Sequence, residues 1–335
     1  MILVTGGTGL VGAHLIYHLL LENEFVKAIH QKTSDVSAVK KVLSYYTSDF
    51  EKLYAKIIWV EAELCDISAL EFAFQEITHV YHCAAFISFD PRDYQKMRKI
   101  NIEGTSNIVN LCILNSVKKL CYVSSIAAVE KNKVGGLIDE NGNWNSNNKK
   151  SDYAISKYGG EMEVWRASQE DVDVIIVNPG VILGSGFWHK GTGNLFTKIY
   201  TGFSFYPLGI TGFIAVKDVV KIMQKLMHSN IKNERFILIA ENRSYKDLFF
   251  KIADIYGGKR PSIKISSALS EFYWRLEYIK SKLTGKPPLL TKTSAESSIS
   301  KNYFNNQKIK DAVNYEFEPF DKTIATICRD YQKDD

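Results

Sequence analysis

The stretch Met1-Ile2-Leu3-Val4-Thr5-Gly6-Gly7-Thr8-Gly9-Leu10-Val11-Gly12-Ala13 is the most informative in the chain. A short apolar run enters a turn of spaced glycines, and an apolar helical pattern over 10–21 follows at once. Strand, glycine turn and helix N-terminus together aim backbone N–H groups at one point, which suits a pyrophosphate. Gly6 permits positive φ in a tight turn, Gly9 lets phosphates approach the backbone, and Gly12 lets the helix lie close to the strand. The spacing is GxxGxxG rather than GxGxxG. A turn of this kind can also be purely structural, so its neighbours matter.

The next 170 or so residues repeat the alternation of short apolar runs and helical patterns. Candidate strands lie at 2–4, 26–29, 57–60, 79–83, 120–123 and 174–177, and helices at 10–21, 69–75, 93–114 and 153–167. Short apolar strands without polar alternation, separated by helices, predict an α/β, doubly wound parallel sheet of the Rossmann type, with ligands at the carboxyl ends of the strands. Residues 33–54 read as an amphipathic helical insert, and 130–150, rich in Asn, Gly and Lys, as a surface loop. Beyond 184 aromatic residues cluster and helical patterns dominate. The expected organisation is a nucleotide-binding domain over 1–184, with elements of 205–240 returning to it, and a smaller, mainly helical substrate lobe over 185–335. Phe213–Val216 and Phe236–Ile239 are expected to thread back through the sheet.

Bulk properties fit an ordinary globular chain: 335 residues, 45% apolar, 24% charged and a net charge of +5. No run of like charges suggests nucleic-acid binding. No apolar run approaches the roughly 20 residues of a membrane helix. Without a signal segment, a cytoplasmic location is expected. The five cysteines form no CxxC pair and predict reduced thiols rather than a metal site. His14 and His18 are four apart but lack carboxylate company, so helix-surface or packing roles are expected.

At the end of the second strand an acid would bind the ribose 2′-hydroxyl of NAD, and a base would accommodate the 2′-phosphate of NADP. The chain has His30-Gln31-Lys32 there. Gln31 and Lys32 therefore point to NADP(H), with NAD(H) as the other possibility.

Four further signatures follow in order: Asp66-Ile67, His82-Cys83-Ala84-Ala85, Tyr122-Val123-Ser124-Ser125 and Tyr153-Ala154-Ile155-Ser156-Lys157. Together with the glycine turn, residues 1–240 resemble the extended short-chain dehydrogenase/reductases of the NAD-dependent epimerase/dehydratase superfamily. Tyrosine and lysine four apart share one helix face, so the ammonium is expected to lower the tyrosine pKa. The resemblance implies Tyr153 as general acid/base, Lys157 on the nicotinamide ribose, and Ser125 on the substrate oxygen, with Ser124 as the fallback. It implies Asn101 behind the active-site lysine. Gly6, Thr8, Gly9, Leu10, Val11 and Gly12 would cradle the pyrophosphate. Asp66 and Ile67 would meet the adenine, while Ala84, Ala85, Phe86 and Val123 would line the cofactor and Pro179, Gly180 and Val181 would flank the nicotinamide.

Ile126-Ala127-Ala128 follows Ser125 where dehydratases of this kind carry an Asp-Glu pair. Val181 stands where the sugar-nucleotide branch carries asparagine. The chain is thus most similar to the dihydroflavonol-reductase, aldehyde-reductase and 3β-hydroxysteroid dehydrogenase branch. The expected activity is hydride transfer between a nicotinamide and the carbonyl or alcohol of a bulky, largely apolar small molecule. Ser88, Phe187 and Trp188 are candidate substrate contacts, among Phe86, Ile87, Phe89, Tyr200 and Phe203. A sugar-nucleotide epimerase with tightly held NAD is the alternative, and a non-catalytic cofactor sensor a third reading. The resemblance also implies a homodimer built on the helices at 93–114 and 153–167.

Overall fold

The computed structural model describes residues 1–131, 136–142, 144–285, 288 and 291–335. The chain opens with β1 (Ile2–Thr5), α1 (Leu10–Leu20), β2 (Val26–His30), α2 (Ser37–Ser44), α3 (Phe50–Tyr54), β3 (Ile57–Glu61), α4 (Ile67–Phe74) and β4 (His79–His82). There follow α5 (Tyr94–Arg98), α6 (Gly104–Leu114), β5 (Lys119–Val123), α7 (Asp152–Ala167), β6 (Asp173–Pro179), β7 (Val181–Leu183) and α8 (Gly193–Tyr200). The remainder is β8 (Phe205–Tyr206), β9 (Ile210–Ala215), α9 (Val216–His228), β10 (Glu234–Leu238), β11 (Glu241–Ser244), α10 (Tyr245–Ile255), β12 (Ile263–Lys264), α11 (Ser267–Thr284), α12 (Lys292–Ile299), α13 (Gln307–Val313) and α14 (Phe320–Asp334).

Seven strands form a parallel sheet in the order β10-β6-β5-β4-β1-β2-β3. The order turns back between β1 and β4, which opens a crevice at their carboxyl ends. Successive residues point to opposite faces, and both faces are covered. Val4, Cys121, Val123, Ile175 and Val177 enter the core shared with α1 and α9. Leu3, Leu120, Tyr122, Val174 and Ile176 enter the core shared with α4, α6 and α7. This double burial explains why the strands read as apolar runs rather than alternations.

The expected insert is α2 and α3. The expected helix over 93–114 is not continuous: Pro91–Asp93 forms a 3₁₀ turn, and Lys99–Glu103 a π-helical turn between α5 and α6. The expected return of Phe213–Val216 to the main sheet is corrected. β9 instead centres a separate three-stranded sheet, β11-β9-β7, and Val216 begins α9. Only the second returning segment, as β10, joins the main sheet. Positions 132–135 and 143 of the loop at 130–150 lie outside the described residues.

Candidate active site

The glycine turn has the geometry of an anion cradle. Gly6 sits at φ +68°, and its carbonyl accepts the Gly9 amide at 3.0 Å. A Cβ on Gly12 would lie 2.2 Å from that carbonyl oxygen, and one on Gly6 would lie 2.7 Å from the Ala84 backbone. Larger residues would therefore force α1 off β1 and push the turn away from the end of β4. Gly9 caps α1 without a side chain, and the first turn of α1 holds no acid. The amides and positive dipole end of α1 remain directed at an incoming anion, which fits a dinucleotide pyrophosphate. Thr8, Leu10 and Val11 flank this turn half-buried.

Gln31, Lys32, Asp66 and Ile67 are exposed beyond the carboxyl ends of β2 and β3. Asp66 acts locally, where its carboxylate accepts the Ala69 amide at 3.1 Å as the N-cap of α4. Trp59, edge-on to His30 at 5.8 Å, lies below the same corner.

A buried polar chain ties the turn to the active-site loop. Thr105 Oγ1 donates to the Asn101 carbonyl at 2.8 Å, so it accepts from His82 Nε2 at 3.0 Å. His82 Nδ1 then accepts from Thr5 Oγ1 at 2.6 Å, and that oxygen accepts the Ala84 amide at 3.2 Å. The direction of the chain assigns the Nε2–H tautomer. Burial holds the imidazole neutral, its pKa pushed down to about 3.

Asn101 lies on the π-helical turn, where an extra residue rotates its side chain inward. Its Oδ1 accepts the Phe86 amide at 2.7 Å, and its Nδ2 donates to the Phe86 carbonyl at 2.9 Å and to Ser156 Oγ at 3.0 Å. Ser156 Oγ in turn donates to the Tyr153 carbonyl at 2.8 Å. The direct side-chain bonds of Asn101 go to the Phe86 loop and to the first turn of α7 rather than to Lys157.

Ser125, Tyr153 and Lys157 meet at the carboxyl end of β5. Ser151 caps α7 and fixes where its first turn begins. Ser125 stands beside the Tyr153 phenol, and its oxygen accepts the Ala127 amide at 3.1 Å. Lys157 Nζ donates to the Val123 carbonyl at 2.7 Å and lies 4.5 Å from the centre of the Tyr122 ring. Burial lowers the Lys157 pKa to about 7, against the attraction of Glu161. The expected lowering of Tyr153 by Lys157 does not appear. Burial around the phenol raises its pKa, and Ser125 supplies the opposing pull. The lysine is turned to Val123, so the serine is the group that assists the tyrosine here.

Glu161, fully buried one turn beyond Lys157, escaped the sequence reading. Asn178 Nδ2 donates to its Oε1 at 2.5 Å and to the Ser125 carbonyl at 2.9 Å. Arg235 of β10 donates to its Oε2 at 3.3 Å, and Ser124 stands beside it. Burial raises the Glu161 pKa against these partners. The local signal was present, since residues 153, 157 and 161 recur every four positions on one face. Arg235 and Asn178 carried no local signal.

Phe89 is the aromatic ring packed near Tyr153, at 6.1 Å between centroids. Ala84, Ala85 and Phe86 continue from the end of β4, with Phe86 under Lys96 Nζ at 4.4 Å. Pro179 ends β6, Val181 begins β7 and Gly180 joins them, where a Cβ would lie 2.3 Å from the Gly212 carbonyl oxygen. The three expected substrate contacts are engaged elsewhere. Ser88 Oγ donates to Asp93 at 2.6 Å within its own loop. Trp188 Nε1 donates to Asp334 at 2.8 Å, and its ring meets Tyr331 at 5.1 Å. Phe187 packs on the core beneath α1 and α9. Aromatic composition had suggested a pocket lining, but these rings bind α14 and the core. Among the described residues, no group of three or more His, Cys, Asp or Glu could hold a metal, and all five cysteines are free.

A parallel Rossmann sheet, a glycine anion cradle and a Ser-Tyr-Lys constellation at the strand ends define a protein of the extended short-chain dehydrogenase/reductase class. Residues 2–240 match the NAD dependent epimerase/dehydratase family, and the chain belongs to it. It is similar to a sterol demethylase protein B of Methylococcus capsulatus, 28% identical over 80% of this chain and 78% of that one. It is also similar to a putative dihydroflavonol 4-reductase of Synechocystis, 26% identical over 91% of this chain and 87% of that one. Among solved structures, gox2253 superposes with a TM-score of 0.82 at 25% identity, covering 100% of this chain and 98% of that one. A UDP-glucose 4-epimerase of Thermotoga maritima shares the fold at TM-score 0.78 and 19% identity, covering 99% of each chain.

Proposed function

We propose that this chain is an NADP(H)-preferring oxidoreductase acting on the carbonyl or alcohol of a bulky, largely apolar small molecule. The observation that carries this reading is the meeting of Ser125 and Tyr153 at the end of β5, with buried Lys157 one helical turn away and bonded to the Val123 carbonyl. The cofactor, when bound, supplies or accepts the hydride. In the reductive direction the Tyr153 hydroxyl gives its proton to the substrate oxygen as negative charge grows there. Ser125 donates a hydrogen bond to the same oxygen, and the Lys157 ammonium has donors left for the nicotinamide ribose. The Val181 side chain, the apolar loop residues Ile87 and Phe89 and the reductase names of similar proteins, including an anthocyanidin reductase of Arabidopsis thaliana, support the carbonyl-reductase branch.

Tyr153→Phe should lower turnover of a true substrate by about a hundred- to ten-thousandfold and leave NADPH binding intact. Full activity in that variant would overturn the mechanism. Lys32, exposed and without an acid at 30–32, supports NADP(H). A thermal-shift comparison should therefore show greater stabilisation by NADPH than by NADH. NAD retained through dialysis, with affinity for a nucleoside-diphosphate sugar, would instead establish the epimerase reading.

We also infer a homodimer through α6 and α7, for which exposed Leu114 and Met162 supply apolar surface. Trp165 packs inward on the sheet core and would not contribute. Light scattering checks the stoichiometry.

A further inference from the structure

The charge of this chain is unevenly placed. Residues 257–292 hold eight Lys or Arg (Lys259, Arg260, Lys264, Arg275, Lys280, Lys282, Lys286 and Lys292) and two acids, Glu271 and Glu277, a net +6. The whole chain is +5, so everything outside this segment sums to −1. The same segment contains α11, whose outer face is apolar. Phe272, Leu276 and Ile279 are 60%, 45% and 55% exposed. At 3.6 residues per turn they fall in one stripe about 60° wide. Ser270 and Ser281 on the opposite side are buried, so the stripe faces away from the protein. Arg275 and Lys282 flank it on one side and Lys280 on the other, with Tyr273 and Tyr278 also exposed.

An apolar stripe bordered by cations and aromatic rings is the pattern of a helix lying in a lipid–water interface. No helix among the described residues is long and apolar enough to cross a membrane, so α11 would lie on the surface rather than span it. Its two acids are already paired, Glu271 with Arg275 at 3.0 Å and Glu277 with Lys280 at 3.2 Å, and Arg260 is held by Asp254 at 2.6 Å, which leaves the net charge to the other lysines. Position in the fold gives this face a use. The Gly285 carbonyl, at the C-cap of α11, accepts from Arg92 Nη1 at 3.2 Å. Arg92 belongs to the loop that also carries exposed Ile87 and Phe89, and Phe89 packs near Tyr153. The helix is thus pinned to the loop at the mouth of the candidate active site.

We propose that α11 docks this protein onto the surface of a bilayer containing anionic lipid. Phe272, Leu276 and Ile279 enter the acyl boundary, and the surrounding cations meet the headgroups. The loop at 86–93 is thereby held next to the lipid, where an apolar substrate would be concentrated. Docking itself does not depend on the reductase reading, because it is measured without substrate or turnover.

The test is flotation of the full chain with two kinds of vesicle, phosphatidylcholine alone and phosphatidylcholine mixed with phosphatidylglycerol. The wild type should float with the anionic vesicles, less so as salt is raised, and not with the neutral ones. Combined Phe272→Ser, Leu276→Ser and Ile279→Ser should abolish flotation. Combined Lys264→Glu and Lys282→Glu should weaken it by roughly fivefold or more for each position. Circular dichroism and thermal unfolding confirm that both variants fold, and the charge variant leaves the apolar stripe intact. Failure of the wild type to bind anionic vesicles, or binding that neither variant changes, overturns the proposal. So does light scattering in which the serine variant splits a dimer while vesicles take up none of the wild type. That result would assign the stripe to a second copy of the chain.

Discussion

A buried lysine stands at each end of strand β5, Lys119 on the strand itself and Lys157 reaching it from α7, and the two are employed differently. Lys119, at the amino end, donates to the carbonyls of Leu226 and Ser229, both at 2.8 Å, at the C-terminal end of α9. Lysine at a helix C-terminus meets both orphan carbonyls and the negative dipole end. Lys157, at the carboxyl end, donates to the single carbonyl of Val123, beside the Tyr122 ring and one turn from Glu161. An ammonium has three donors. At one end most are spent on the protein, and at the other most remain for a ligand. Burial depresses both pKa values, yet Lys119 clamps α9 to the sheet while Lys157 is the group proposed to hold the cofactor.

Methionine at each position tests this contrast. Lys157→Met should cut turnover at least as severely as Tyr153→Phe, and Lys119→Met should leave turnover per folded molecule unchanged. Steady-state kinetics on one substrate with both variants decides it; equal losses would erase the distinction.

The next effect is on pH-dependent stability. Lys157 titrates near 7 in the fold and near 10.5 when unfolded. Between those values the unfolded chain holds a proton that the folded chain has released, so stability rises with pH through the window. The burial cost is fully present below pH 7 and gone above 10.5. Denaturant unfolding should therefore show the wild type gaining on Lys157→Met as pH is raised across that range. A constant difference would mean that the folded lysine keeps its proton across the window, as the unfolded one does.

Lys119→Met should instead lose about 1–3 kcal/mol by leaving buried carbonyls without a donor, read as a lowered denaturant midpoint. The subtlest change is expected in Glu161→Gln. Removing the carboxylate withdraws the attraction that sustains the Lys157 charge, so the lower edge of the pH window should move below 7. An unmoved edge would show that Glu161 serves only Asn178 and Arg235.

The parts of this site that could be read from sequence are the local ones. Gly6, Gly9 and Gly12 lie within one turn, and Tyr153 and Lys157 within one helical step, so chain geometry alone brings them together. Glu161 continues that step and was overlooked because its partners, Asn178 and Arg235, arrive from β6 and β10. Long-range pairing also hid the sheet to which β9 belongs, since an apolar strand looks the same in either sheet. The partners of Ser88 and Trp188 were hidden for a related reason. Residue type says that a hydroxyl or indole needs a partner, and here Asp93 and Asp334 had already supplied one. The expected effect of Lys157 on Tyr153 failed because shared helix face does not fix where the ammonium points.

The chain of bonds from Thr5 through His82 and Thr105 to Asn101 has a kinetic consequence. It clamps the amides of Ala84 and Phe86, which lie in a loop beyond β4, to buried side-chain oxygens. Loop amides ordinarily exchange their hydrogen with solvent within the local opening time of the loop. These two can exchange only when strand, loop and helix separate together. They should therefore keep their protons as long as the amides of the central strands, marking the floor of the active site as part of the slowest-opening unit of the protein.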